Sequence, residues 1–192
     1  MTNLKKIAIG VASAALVAGM GVAPAVAADA TRVVLPGGQS FNRVAGDTRV
    51  DTAFEIAKQA KADNVPTAKI YIVNSKSNVD AATSGMLTDG VVLLAPADEA
   101  GQLKLGLRIK NELNPASGAK LIAIGGTSVV PDSVMSNIKS TSGLSIGTRL
   151  GGATRYDTNL AIAKSAFTTP GSVTNKYIVS GTSIVDAITS GA

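Results

Sequence analysis

The sequence predicts an α/β fold in which a parallel sheet is flanked by helices. Two features carry that expectation. Short apolar runs of strand length alternate along the chain with patterns that repeat every three to four residues. The run Val91-Val92-Leu93-Leu94 is apolar at every position, as in a strand covered on both faces of a parallel sheet. Strands and helices in alternation imply parallel pairing through crossovers of one hand.

The elements follow in chain order. Asp47 or Thr48 can cap a helix whose apolar positions are Val50, Ala53, Phe54, Ala57 and Ala60. Lys69–Val73 reads as a short strand, closed by the polar turn Asn74–Asn78, and a second helix is expected over Val79–Leu87. Gly90 ends it, the strand Val91–Leu94 follows, and Pro96 stops that strand. Gln102–Leu113 is helical, with Leu103, Leu107, Ile109 and Leu113 as its apolar side and Lys104, Arg108, Lys110 and Glu112 toward solvent. Leu121–Ile124 is another buried strand, followed by Gly125-Gly126. Pro131 suits the first turn of a helix that runs to about Lys139.

The chain repeats itself at an offset of 106 residues. Arg43–Lys58 and Arg149–Lys164 are identical at nine of sixteen positions without a gap, and Tyr71–Gly85 and Tyr177–Gly191 at ten of fifteen. Two blocks sharing one offset mark duplication of a whole folding unit. The period is far longer than the roughly 20–50 residues of solenoid repeats. The second copy matches only the opening of the first. Its helix, Thr154–Phe167, has apolar positions at Leu160, Ile162, Ala163 and Phe167, and its strand is Tyr177–Val179. A piece this short rarely stabilises itself. It is expected to dock on the first unit, adding its strand to an exposed sheet edge, or to be readily proteolysed.

Ahead of both copies, Lys5 and Lys6 precede an uncharged Ala- and Gly-rich run, Ile7–Val22, and Ala25-Val26-Ala27 is a small-x-small cleavage signal. That order predicts a secretory signal peptide over residues 1–27, since the run is shorter than the roughly 20 residues a membrane span requires. Residues 28–142 then form the first repeat and 143–192 a truncated second one. No stable membrane insertion is expected after cleavage. Cleavage removes two of the 18 basic residues and none of the 13 acidic ones. The mild positive charge that remains permits an anionic partner without pointing to nucleic acid.

Composition excludes much chemistry. The chain has no Cys and no His. There is accordingly no thiol nucleophile, no thiolate or imidazole metal site, no Ser–His–Asp triad and no disulfide framework. Gly125-Gly126-Thr127-Ser128 lies in a strand-to-helix turn but lacks both the GxGxxG spacing and the Walker Lys, so a tight turn is its expected role. Neither a cofactor nor a metal is expected.

The repeated blocks resemble a known family. Arg-x-x-Gly-x-Thr-Arg-x-Asp-Thr, at Arg43–Thr52 and Arg149–Thr158, resembles the opening of the cell wall-binding repeat type 2 family. The block ending Val-Asp-Ala-x-x-Ser-Gly resembles its second signature, and Ile124–Val134 its third. The resemblance implies a Rossmann-like module of a secreted Gram-positive surface protein that holds noncovalently to an anionic wall polymer without catalysis. It also implies copies that pack together, in one chain or in a homo-oligomer. A Pro-Ile-Leu-Leu run belongs to the family's ligand site; here Val91 replaces the Pro, which leaves Val92, Leu93 and Leu94 as the carried-over positions.

Arg49 and Arg155 stand at equivalent positions beside Thr48 and Thr154, each a cation at a helix start. Such a place favours bound phosphate or carboxylate. It equally suits a salt bridge to Asp51 or Asp157, or a contact between repeats. Thr48, Asp80, Thr154 and Asp186 are expected to cap helices. The competing functions are a fragment of an amidase-associated wall hydrolase and a secreted small-ligand binder.

Overall fold

A computed structural model describes residues 31–34, 40–168 and 178–182. The expected signal peptide and Asp186 lie outside the described residues. Among those residues no helix is long and apolar enough to cross a membrane.

Strands β1 (Thr31–Val34) and β2 (Ser40–Arg43) pair antiparallel, Thr31 opposite Arg43 and Val34 opposite Ser40. Helix α1 (Arg49–Ala62) leads to β3 (Lys69–Asn74). Helix α2 (Asn78–Thr83) follows and closes with a 3-10 turn, Ser84–Met86. Then come β4 (Val91–Ala95) and α3 (Glu99–Arg108), which runs on as a π turn, Ile109–Leu113. The remainder is β5 (Lys120–Ala123), α4 (Asp132–Ser142), β6 (Ser145–Ile146) and α5 (Arg155–Ala166).

The main sheet is parallel, in the order β4-β3-β5-β6. From β3 the chain steps outward to β4, then crosses back over β3 to β5. The first step uses α2 on one face and the return uses α3 on the other, so reversal of direction and change of face together keep one handedness of crossover. On one face Ile70, Ile72, Val91, Leu93, Leu121 and Ala123 pack under α1, α3 and α4. On the other, Tyr71, Val73, Ile122 and Ile124 meet Leu87 and Ile162 of α5.

Several elements differ from expectation for identifiable reasons. The second helix is shorter than Val79–Leu87 because its last part tightens into the 3-10 turn. Strand β4 is not covered equally on both sides. Val91, Leu93 and Ala95 are buried, whereas Val92 and Leu94 are half-buried. It is the edge strand of the sheet, with a hydrogen-bonded neighbour on one side only among the described residues. In α3 the buried row is Gln102, Leu105 and Gly106, continued by Ile109 and Leu113, while Leu107 is exposed. Close approach of α4 turns the helix in this way, with Thr141 Oγ1 donating to the Leu103 carbonyl at 2.8 Å and Asn137 Nδ2 to Gln102 Oε1 at 2.9 Å. Pro131 precedes α4 as its N-cap instead of opening its first turn.

The second copy docks differently from the expected strand addition. The edge of β5 is extended by β6 and by a bridge between Ile124 and Leu150, with the Gly125 N–H donating to the Leu150 carbonyl at 2.8 Å. Helix α5 packs on α2 and the 3-10 turn, burying Thr158 and Ile162. Leu160 and Phe167, expected on its apolar side, are exposed. Ile178 and Val179 carry no strand structure and are exposed, whereas their counterparts Ile72 and Val73 are fully buried between β4 and β5. Tyr177 lies outside the described residues.

At the opposite end of β3, Tyr71 is buried and its hydroxyl donates to Asp89 Oδ1 at 2.6 Å, while Lys69 pairs with Asp89 Oδ2. Burial, reinforced by Asp89, pushes the Tyr71 phenol well above its usual range. Burial works against the Asp89 carboxylate, but Lys69 and Tyr71 outweigh it and hold its pKa below the usual range. The signs are opposite. A raised Tyr71 pKa contributes stability present below about pH 10 and lost as pH rises beyond it; a lowered Asp89 pKa contributes stability above about pH 4, lost on acidification. Melting temperature should therefore fall more steeply between pH 9 and 11 in the native chain than in Tyr71→Phe, on the same assay. Parallel slopes would remove Tyr71 from the account.

Candidate functional site

The duplicated signature builds the same helix start twice. Thr48 is the N-cap of α1, its Oγ1 accepting from the Asp51 N–H at 3.2 Å and donating to Asp51 Oδ2 at 2.6 Å. Thr154 repeats this on α5 with Asp157, at 3.2 and 2.7 Å, as a full capping box. The Gly46 N–H donates to Thr52 Oγ1 at 3.0 Å, and Gly152 to Thr158 Oγ1 at 3.2 Å. A Cβ at Gly46 would collide with Asp51, and one at Gly152 with Asp157, so the loop lies against the helix only where the side chain is hydrogen.

Arg49 follows the cap. Its Nη1 donates to the Ser75 carbonyl at 3.1 Å, and Arg155 Nη1 donates to the Gly181 carbonyl at 2.9 Å. Ser75 and Gly181 are themselves 106 positions apart. Neither Arg makes the salt bridge to Asp51 or Asp157 that the sequence left open; each ties a helix start to the loop after the following strand. Both Arg side chains remain at the surface.

That loop stands at the carboxyl end of the sheet, where β3 and β5 lead in opposite directions and open α/β sheets place their ligand crevices. Asn74 Nδ2 donates to the Val129 carbonyl at 2.6 Å, and its Oδ1 accepts from the Lys76 N–H at 2.8 Å. The Ser75 N–H donates to the Ala95 carbonyl at 3.2 Å, which brings Arg49 to the end of β4. Arg149 braces the other side, Nη1 donating to the Gly125 carbonyl at 3.0 Å and Nη2 pairing with Asp132 at 2.6 Å. The sequence marked Arg149 only as a repeated residue; its recurrence opposite Arg43 was the available signal.

The remaining expected positions separate. Leu93 is fully buried in the core under α1 and α3, contrary to its expected place at a ligand surface; it faces inward because strand neighbours alternate. Val92 and Leu94 lie half-buried on the other face of β4. Asp80 does not cap α2. Ser77 is the N-cap, and buried Asp80, three residues on, accepts from Ser77 Oγ at 2.8 Å. It thus uses the carboxylate–hydroxyl pairing seen at Asp51 and Asp157.

Arg108, expected toward solvent, is the centre of the largest ion-pair group among the described residues. It reaches Asp51, Glu55 and Glu112, each at 3.0 Å, with its guanidinium 3.9 Å above the Phe54 ring. The Asp51 carboxyl is held below its usual range by the Thr48 hydroxyl first and by the Arg108 charge second, against the opposing effect of burial. No group of three or more His, Cys, Asp or Glu among the described residues could hold a metal ion.

The described residues form an α/β module in which one helix-start clamp is built twice. A model of the family described as "Cell wall binding domain 2 (CWB2)" matches residues 43–135 and 149–192. The chain belongs to this family and is a wall-associated protein of the Gram-positive cell surface. It is similar to N-acetylmuramoyl-L-alanine amidase LytC of Bacillus subtilis (strain 168), 31% identical over 148 residues. That match covers 77% of this chain and 28% of the amidase, so the chain spans under a third of that relative's length. Among solved structures it is similar to Cwp6 from Clostridium difficile, with 29% identity and a TM-score of 0.49 over 73% of this chain and 22% of that one. For Cwp8 from the same organism the identity is 23% and the TM-score 0.43, over 64% and 19%.

Proposed function

We propose that this chain is a non-catalytic module that holds noncovalently to an anionic polymer of the Gram-positive wall. Family membership across both repeats carries the reading. Its contact region would be the surface corner where Arg49, the Ser75 loop and the end of β4 meet, with Arg155 repeating the arrangement in the second copy. Half-buried Val92 and Leu94 would add apolar contact beside it. An Arg at a helix N-terminus, with the helix dipole behind it, suits phosphate or carboxylate groups. Absence of His and Cys from the sequence supports binding without catalysis. Association of copies through repeat packing belongs to the same reading.

Cosedimentation with purified walls tests the charge contribution. Retention should fall in 1 M NaCl, where screening shortens to about 3 Å. Arg49→Ala should lower retention several-fold more than Lys104→Ala, which removes a charge from the exposed side of α3. Equal retention of the two variants, both folded by circular dichroism, would exclude Arg49 from the contact.

A further inference from the structure

Arg43 and Arg149 are the same residue of the repeat, 106 positions apart, yet they are engaged differently. Arg149 is spent on two acceptors of the first unit. It donates to the Gly125 carbonyl at 3.0 Å and to the Asp132 carboxylate at 2.6 Å. Arg43 closes β2, opposite Thr31 in the antiparallel pair, and its side chain is exposed. It has no acidic partner among the described residues. A guanidinium that takes a carboxylate and a carbonyl in one copy is thus left open in the other.

Arg43 lines a surface cleft of about 260 Å³ between the end of β2 and the second half of α1. Val44, Ala45 and Ala62 give it apolar walls, and Glu55 and Lys58 stand on its polar side. Glu55 is already held by Lys58 at 3.1 Å and by Arg108 at 3.0 Å, which leaves the Arg43 guanidinium as the uncompensated charge of the cleft. The sign of a ligand follows: it is anionic. Its size follows too. The cleft is smaller than the roughly 300–1,000 Å³ of pockets for drug-sized ligands, so it admits a terminal group and not a length of polymer.

We propose that this cleft binds the free C-terminus of a short peptide ending in a small apolar residue. The peptide's carboxylate pairs with Arg43, and its last amide carbonyl takes a second N–H of the same guanidinium. Asp132 and Gly125 divide the guanidinium of Arg149 in that way. A planar fork serves two such acceptors at once, whereas an ammonium is a point charge. The terminal side chain lies against Val44, Ala45 and Ala62. The site stands toward the other end of α1 from the Arg49 corner, and it does not depend on polymer binding there.

The probe is N-acetyl-Ala-Ala, titrated into the isotope-labelled secreted chain and followed by NMR. No wall material is present, so this reading and the polymer reading can fail separately. The amide signals of Val44, Ala45 and Ala62 should shift and saturate with a dissociation constant of about 1 mM, as suits a small open site. Arg43→Ala should remove the shifts. Arg43→Lys should weaken binding about tenfold, because it keeps the charge and loses the fork. Both variants should melt with the native chain, since the Arg43 side chain is exposed. Lys139→Ala, at an exposed cation of α4, should leave the affinity unchanged. The C-terminal amide of the same dipeptide should not bind. Absence of saturable shifts, equal binding of acid and amide, or native affinity in Arg43→Ala would each overturn the proposal. Acetate or inorganic phosphate matching the dipeptide at the same signals would make the cleft a general anion site and reject the peptide terminus.

Discussion

Arg108→Ala should destabilise the fold by about 2–3 kcal/mol, between the small value of an exposed ion pair and the 3–5 kcal/mol of breaking a buried one. The side chain is 17% exposed and satisfies three carboxylates while covering Phe54. Truncation leaves Asp51 without its ion-pair partner and leaves Glu55 and Glu112 with Lys58 alone, at 3.1 and 3.9 Å, and it uncovers the ring. For a chain of this size the loss corresponds to roughly 4–12 °C in melting temperature. Arg108→Lys should recover only part of it, since an ammonium cannot fork to three acceptors in fixed geometry. Thermal melts at pH 7 decide the matter, and a change below about 1 kcal/mol would reduce the cluster to ordinary surface pairing.

Gly106→Ala is the second large effect, and its sign runs against helix propensity. In an exposed helix the exchange stabilises by about 1 kcal/mol. Here the new Cβ would stand 2.5 Å from the Ile138 carbonyl oxygen and collide with Thr141 Oγ1. The first obstacle is backbone, and the second is a hydroxyl already donating to Leu103. Helices α3 and α4 must separate to admit the methyl group, loosening Leu105, Ile109, Met135 and Ile138 together. Overpacking of this kind costs about 1–3 kcal/mol and outweighs the propensity gain, so a net loss of about 2 kcal/mol is expected. Urea midpoints read it directly. A midpoint equal to or above that of the native chain would show that the two helices have room to spare.

The architecture was legible where local pattern and tertiary environment agree. The apolar runs of β3, β4 and β5 and the capping Thr48 and Thr154 could be read from residue order, because strand and cap signals are local. The 106-residue offset located the clamp before its geometry was known, and Arg49 with Ser75 and Arg155 with Gly181 show that both copies fold alike there. What could not be read depends on neighbours distant in sequence. Arg108 sits in a polar helical pattern that looks solvated; only the packing of α3 beside α1 brings Asp51 and Glu55 to it. Leu160 and its counterpart Phe54 occupy one position of the repeat, but Phe54 meets β4 and the π turn while Leu160 is exposed. Leu93 illustrates the same point at the candidate site. A run of four apolar residues does not reveal which two face inward, and the pleat removes Leu93 from any surface contact.

The central claim is that the chain recognises an anionic wall polymer. Its most direct test is cosedimentation with two preparations of the same Gram-positive walls, one intact and one stripped of its anionic polymers with the peptidoglycan left whole. The account predicts that the chain pellets with intact walls and stays in the supernatant with stripped ones. Equal pelleting with both preparations, or none with intact walls, would contradict it.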